Sequence, residues 1–279
     1  MSIIMLSSAI YNFLVNGTDH FYYEEFSILM HPSYLSMYLN VAIAWLLISF
    51  FKQKLTRTSN TFALIIITFF SFINILLSSK MGLLTMVLIY FGFLIYYVLT
   101  KKKYLFGVCG VLIIVISFFA VKKFMPEVIW RVDSAMQAVT SSSTDEKAAE
   151  STAVRMLVWK AANKIISENI LFGVGTGDVK DELMKEYSKL GMTGAIEHRL
   201  NAHNAFYQAF IALGLFGFIL LVVNLFFPLW HSFKISNTVY ILFLLIIILN
   251  FLTESMLETQ AGVVFYSFFN SLLSTRKEN

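Results

Sequence analysis

AFYQAFIALGLFGFILLVVNLFFPLW, residues 205–230, is an apolar stretch without a single Asp, Glu, Lys or Arg. A helix of about 20 apolar residues crosses the ~30 Å hydrocarbon core of a bilayer, so this stretch is predicted to span a membrane. Similar runs recur along the chain. The sequence predicts an all-α polytopic membrane protein with about eight spans, at 2–17, 34–51, 61–79, 82–100, 104–121, 205–230, 238–252 and 260–274.

The composition of the 279-residue chain agrees with that class. Residues of the set AVILMFWYC make up 58% and charged residues 14%, and the mean hydropathy is +0.72. Soluble domains have roughly 45–50% apolar and 25% charged residues, so too few charges are present to cover a water-facing surface. This excludes a cytosolic enzyme, a nucleic-acid-binding domain and a disulfide-stapled secreted module. The single Cys109 excludes an intrachain disulfide or a cysteine metal cluster.

The distribution of charge predicts the topology. If the first segment is a span and both termini are cytoplasmic, Glu278 is the single acidic residue in the cytoplasmic connections, and all other acidic residues fall outside. Basic residues in short loops stay cytoplasmic, which favours this threading over a register shifted by one span. The inner connections then hold Lys52, Lys54, Arg57, Lys101, Lys102, Lys103, Lys234, Arg276 and Lys277.

Three parts follow: a five-span bundle at 1–121, a large periplasmic loop at 122–202 and three spans at 203–279. The loop is too long for a simple connector and is predicted to contain helices. Ser151 or Thr152 can cap a helix, and TSSSTDEK, 140–147, is typical of a mobile tip. The apolar stripe predicted for that helix comprises Val154, Leu157, Val158, Ala161, Ala162, Ile165 and Ile166. The helix should lie along the membrane interface or pack on the bundle.

Two local patterns in the loop have competing interpretations. GVGTGD, 173–178, lacks the third glycine and the preceding strand of a dinucleotide fingerprint, which favours a tight turn between helices. An intermediate option is that backbone N–H groups near Gly175 help to hold a phosphate. His198 and His203 are five residues apart with no third ligand nearby in sequence, so no metal is predicted.

A longer pattern begins at His203. His203 and Asn204 are followed by nine residues and then by Gly214 and Gly217, which resembles the H-[NSQ]-x9-G-x-x-[GTY] pattern of the bacterial O-antigen ligase and polymerase superfamily. RMLVWKAANKIISENILFGVGTGD, starting at Arg155, is similar to that family's periplasmic-loop segment. SSKMGLLTMVLIYF, around Lys80, resembles its Ser-Arg-Gly-type motif, and LTESMLETQAGVVFYSFFNSLL resembles its last two spans.

The resemblance implies a glycosyltransferase of the bacterial inner membrane. It implies transfer of a preassembled glycan from a polyprenyl diphosphate carrier to an acceptor hydroxyl at the periplasmic face, most simply on lipid A core. The partners would then be the lipid-linked donor, the acceptor and membrane lipid. No metal, cofactor or nucleic acid is expected. A polymerase or a protein O-oligosaccharyltransferase would use the same constellation. Family members usually have about a dozen spans, so the eight counted here predict a short or N-terminally truncated member. The alternative outside the enzymes is an inactive family member or a transporter-like protein.

The resemblance also assigns roles. His203 would accept the proton of the acceptor hydroxyl, with Asn204, Trp159 and Gly175 in supporting positions. Arg155 and Lys80 would bind the diphosphate, where Lys80 replaces the usual Arg and lacks its planar fork. Arg199 is a third candidate for binding the diphosphate. The alternative interpretation of Lys80 is a side chain that anchors its helix at the membrane interface, and that of Arg199 is a solvated loop charge. For Glu254 and Glu258 a solvated turn is favoured over an acceptor site.

Overall fold

The computed structural model describes residues 1–17, 21–52, 56–102, 104–130, 133–134 and 152–275. Within these ranges the chain forms helices and no strand. Several sequence predictions fall outside the described residues, namely the tip at 140–147, the cap at Ser151 and the charges of Lys54, Lys103, Arg276, Lys277 and Glu278.

The helices follow the predicted apolar runs closely. They are α1 (Ser2–Asn16), α2 (Tyr23–Phe26), α3 (Pro32–Phe51), α4 (Arg57–Leu77), α5 (Lys80–Lys101), α6 (Tyr104–Phe124), α7 (Thr152–Glu168), α8 (Val179–Lys189), α9 (Thr193–Glu197), α10 (Ala205–Lys234), α11 (Thr238–Phe251), a 3₁₀ turn (Met256–Glu258) and α12 (Gln260–Ser274).

Five of these helices, α3, α4, α5, α6 and α10, are long and apolar enough to cross a membrane. The chain is therefore an integral membrane protein. Three other predicted spans form helices that are shorter than these five. They are α1, α11 and α12, with 15, 14 and 15 residues. At 1.5 Å per residue these three reach only ~21–23 Å. The full count of eight spans stays a prediction.

The chain divides into two compact units, Met1–Val132 and Asp133–Asn279. In the first unit, α3 packs against both α4 and α5. A fully buried polar chain joins the three helices: Ser36 donates to Asn74, Asn74 donates to Asn40 (2.8 Å), and Asn40 donates to the carbonyl of Gly82 (2.9 Å). In apolar surroundings such bonds fix which helix faces meet.

The SSKMG segment forms the junction between α4 and α5. Ser79 caps α5 by accepting from the N–H of Gly82, and Lys80 is the first residue of the helix. A Cβ built on Gly82 would lie 1.7 Å from Ser36 Oγ, so only glycine allows this approach of α5 to α3. The motif therefore sets the position of Lys80 on its own unit.

The second unit is built around α7. Its predicted apolar stripe is confirmed: Val154, Val158 and Ile165 are buried, and Leu157 and Ile166 pack at the edge. The stripe contacts α8 and α10 rather than lying unpartnered on an interface. The loop helices therefore share one core, whose other buried members are Ala161, Ala162, Val179, Leu183, Tyr187, Met192, Ala195, Ala202, Ile211 and Ala212.

Candidate active site

Glu254 joins the two strongest sequence candidates. Its Oε1 atom lies 2.7 Å from Arg155 Nη2, and its Oε2 atom lies 3.4 Å from His203 Nδ1. The Glu254 side chain is only 8% exposed, against 25% for Arg155 and 18% for His203. The structure thus brings Arg155 and His203 together on one buried carboxylate. The solvated turn favoured for Glu254 is wrong, because the turn folds against the start of α10.

The shared carboxylate determines what His203 can do. An imidazole that donates its Nδ1 proton to a carboxylate leaves a lone pair on Nε2, which can accept a proton from another group. The 3.4 Å separation is at the long end for such a bond. Arg155 keeps further N–H groups besides the one at Glu254, since a guanidinium has five.

The backbone at His203 is unusual. Its φ is +45°, in the left-handed region that non-glycine residues rarely adopt. The conformation is held because the N–H of His203 donates to Asn201 Oδ1 (2.9 Å). A strained backbone of this kind persists only where the surrounding contacts hold it in place, and such residues cluster at functional sites.

Asn204 connects His203 to the turn that carries Glu254. Its Oδ1 atom caps α10 by accepting from the N–H groups of Phe206 (2.8 Å) and Tyr207 (3.1 Å). On its other side, Asn204 Nδ2 donates to the carbonyl of Leu252 (2.9 Å), and its own N–H donates to Ser255 Oγ (3.1 Å). The residue is 7% exposed. Its predicted supporting role therefore has a concrete geometric basis, since it fixes both sides of the His203–Glu254 contact.

Two aromatic residues hold the segment before His203. Trp159, one helical turn after Arg155, donates from Nε1 to the carbonyl of Ala202 (3.0 Å) and stacks on Tyr207 with ring centroids 6.0 Å apart. Tyr187 donates to the carbonyl of Leu200 (3.3 Å). Burial raises the pKa of the Tyr187 hydroxyl, so it stays protonated and keeps this bond.

The glycine turn is structural in this fold. The N–H of Gly175 donates to the carbonyl of Ala212 (2.9 Å), and that of Val174 donates to the carbonyl of Ile211 (2.8 Å). The N–H groups of Val174 and Gly175 are therefore already bonded to α10 and are not available to a phosphate. Gly175 therefore joins the turn after α7 to α10, and its supporting role in the site stays a prediction.

Gly214 allows this junction. Its φ and ψ of 63° and −154° are not helical, and a Cβ there would lie 2.3 Å from the carbonyl oxygen of Leu171.

We expect Gly214→Ala to lower the thermal midpoint and the yield of monodisperse protein in detergent, because holding alanine in this backbone conformation alone costs about 1–3 kcal/mol. Gly177→Ala is the matched control, since a Cβ at Gly177 meets nothing within 4 Å. Equal midpoints for the two variants would contradict this account.

Two cation candidates remain, Arg199 and Lys80. Arg199 is 65% exposed and its Nη2 atom lies 3.7 Å from Asp181 Oδ1, so the structure does not bring it to Glu254. Lys80 belongs to the first unit, and its convergence with Arg155 and His203 stays a prediction. In the part of the chain that is described, no three His, Cys, Asp or Glu side chains are grouped as metal ligands.

Sequence reasoning missed the importance of Glu254 and of Gln208, whose Oε1 atom accepts from the N–H of Ala202 (3.3 Å). A signal for Glu254 was present, because an ionisable residue directly after an apolar run is more often functional than its surroundings. For Gln208, an amide in the first turn of an apolar helix is a similar but weaker signal.

Three of the four motifs that carry the resemblance lie within a match to a known protein family. The family model Wzy_C, described as O-antigen ligase, matches residues 63–222, more than half of the chain. This range includes the motif at Lys80, the Arg155–Trp159 helix and the His203–Gly217 segment. The chain belongs to the O-antigen ligase family, as the resemblance predicted. No curated protein matches the chain.

Proposed function

We propose that this protein transfers a preassembled glycan from a polyprenyl diphosphate to a hydroxyl of lipid A core at the periplasmic face of the bacterial inner membrane. Family membership supports glycan transfer from lipid-linked substrates. The observation that supports the proposed chemistry is the Arg155–Glu254–His203 arrangement, in which a guanidinium suited to binding phosphate and an imidazole suited to accepting a proton contact one carboxylate.

The proposed reaction needs no change of oxidation state. His203 Nε2 accepts the proton of the acceptor hydroxyl as the hydroxyl oxygen forms a bond to the anomeric carbon. The bond between that carbon and the phosphate oxygen breaks, and its electron pair stays on the departing polyprenyl diphosphate. Arg155 binds that anion, because a guanidinium can bond two phosphate oxygens at once. Lys80 is proposed as a second cation for the same group.

Glu254 acts in this proposal as a positioning residue. Its Oε2 atom orients the imidazole so that Nε2 faces the acceptor, and it stabilises the imidazolium that forms. Its Oε1 atom holds Arg155 in place until the donor diphosphate competes for the guanidinium. Trp159 and Asn204 fix the backbone on either side of His203.

The test is complementation of a strain that lacks its own ligase. The unaltered chain should restore surface polysaccharide, and chemical analysis should find the glycan on lipid A core. Glycan on Ser or Thr of a protein would identify a protein glycosyltransferase, and longer glycans that remain on the carrier would identify a polymerase. Either outcome overturns the proposed acceptor. Absence of any transfer by a correctly inserted chain would overturn the enzymatic proposal itself, in favour of an inactive or transporter-like protein.

A further inference from the structure

The residues between α7 and α8 form a turn that exposes apolar side chains. We call residues 169–173 the apolar turn. Ile170, Leu171 and Phe172 are 51%, 55% and 75% exposed. No charged residue occurs between Glu168 and Asp178. Three adjacent, largely exposed apolar side chains are costly in water, which indicates that another apolar medium covers them.

The apolar turn is fixed to α10 by backbone hydrogen bonds. Because Gly214 interrupts the helix, the N–H of Leu215 donates to the carbonyl of Ile170 (2.8 Å). The carbonyl of Ile211, which a regular helix would pair with Leu215, accepts from Val174 instead (2.8 Å). The ring of Phe172 stacks on Phe216 of α10 at 5.9 Å. The turn is therefore continuous with the surface of a helix that is long and apolar enough to cross the membrane.

The length of α10 fixes the depth of the turn. About 20 residues follow the kink before α10 ends at Lys234, which corresponds to ~30 Å of helix. At that end Lys234 Nζ lies 3.7 Å from the centroid of the Trp230 ring. Trp and Lys pairs of this kind are typical of a membrane boundary. A hydrocarbon core of ~30 Å measured from Lys234 ends at the level of Gly214, where the apolar turn is bonded.

We propose that the apolar turn inserts among the acyl chains of the leaflet opposite Lys234. The occupant of this surface is hydrocarbon and not lipid headgroup, because the turn offers three apolar side chains and no charge. Non-helical backbone at membrane depth requires internal hydrogen bonds, and the bonds to Ile211, Ala212 and Leu215 supply them. Insertion anchors the segment that joins α7, with its Arg155, to α8. The inference is independent of the glycan, the acceptor and the chemistry proposed above.

Nitroxide accessibility in lipid nanodiscs tests the inference. Cys109 is replaced by Ala, and a spin label is attached to Phe172→Cys. Lys180→Cys on α8 serves as the water-exposed control, and Val223→Cys, 53% exposed on α10, serves as the lipid-facing control. We expect the label at position 172 to be relaxed by molecular oxygen far more than by a water-soluble nickel chelate, as at position 223 and opposite to position 180.

Two results would overturn the insertion. A label at position 172 that is relaxed mainly by the nickel chelate lies in water. A label shielded from both reagents is covered by protein, from the first unit or from a second copy of the chain. Leu171→Cys provides an independent position on the same turn, so the test does not depend on one substitution. Activity is not a readout here, and failure of glycan transfer would leave the result unchanged.

Discussion

His203→Asn is expected to lower the rate of glycan transfer by about 10²–10⁴-fold while the protein remains folded and binds its lipid-linked donor. The asparagine removes the imidazole, and with it the ring nitrogen proposed to accept the proton of the acceptor hydroxyl. Asparagine is chosen because it tolerates the left-handed backbone that His203 adopts at φ +45°. The rate is measured by transfer from a purified polyprenyl-diphosphate glycan in nanodiscs, with donor binding measured separately.

His203→Ala is the companion variant. Alanine lacks the imidazole and also fits the left-handed backbone less well, so it should lose both activity and some stability. If His203→Asn transferred glycan at the rate of the unaltered protein, proton acceptance by this residue would be excluded. If both variants failed to bind donor, His203 would be a binding group, and its assigned step would be wrong.

Arg155→Ala is expected to have the second large effect, on both donor binding and stability. The substitution removes the guanidinium at 2.7 Å from Glu254 Oε1 and leaves a carboxylate that is 8% exposed without that partner. Loss of one member of a buried pair costs ~3–5 kcal/mol. Arg155 is itself a quarter exposed, so we expect a smaller loss of about 1–3 kcal/mol in the free energy of unfolding.

A double-mutant cycle separates these two effects. Arg155→Ala combined with Glu254→Gln removes the carboxylate charge that has lost its guanidinium, so the double variant should recover stability while donor binding stays weak. Lys160→Ala, on the same helix and exposed, is the matched control for loss of a positive charge and should change neither property. Strictly additive effects of the two single variants on stability would show that the ion pair contributes nothing to the fold.

The parts of this protein that the sequence predicts well are those determined by local pattern. Apolar runs predict the five long helices, since a membrane span needs only length and hydropathy. The spacing from His203 to Gly214 predicts the family, because the capping Asn204 and the glycine that breaks α10 belong to one continuous segment. The stripe of α7 is predicted because helical periodicity depends on neighbours three and four residues away.

The parts that were missed depend on distant contacts. Glu254 lies 99 residues from Arg155 and 51 from His203 in sequence, so no local pattern shows that the three side chains meet. The bonding of Gly175 to Ala212 is missed for the same reason. The lengths of α11 and α12, 14 and 15 residues, agree with the predicted bounds 238–252 and 260–274, and whether these two helices cross the membrane stays a prediction.

The divided carboxylate of Glu254 makes two equilibria interdependent. One of its oxygens faces Arg155 and the other faces His203, so an anion that draws Arg155 away changes the net charge felt by the imidazole. Linkage requires the reverse with equal magnitude: protonating His203 must change the affinity of the site for that anion by the same factor. Anion titrations in two buffers of different ionisation enthalpy would then give different apparent heats, and the difference would count the protons exchanged on binding.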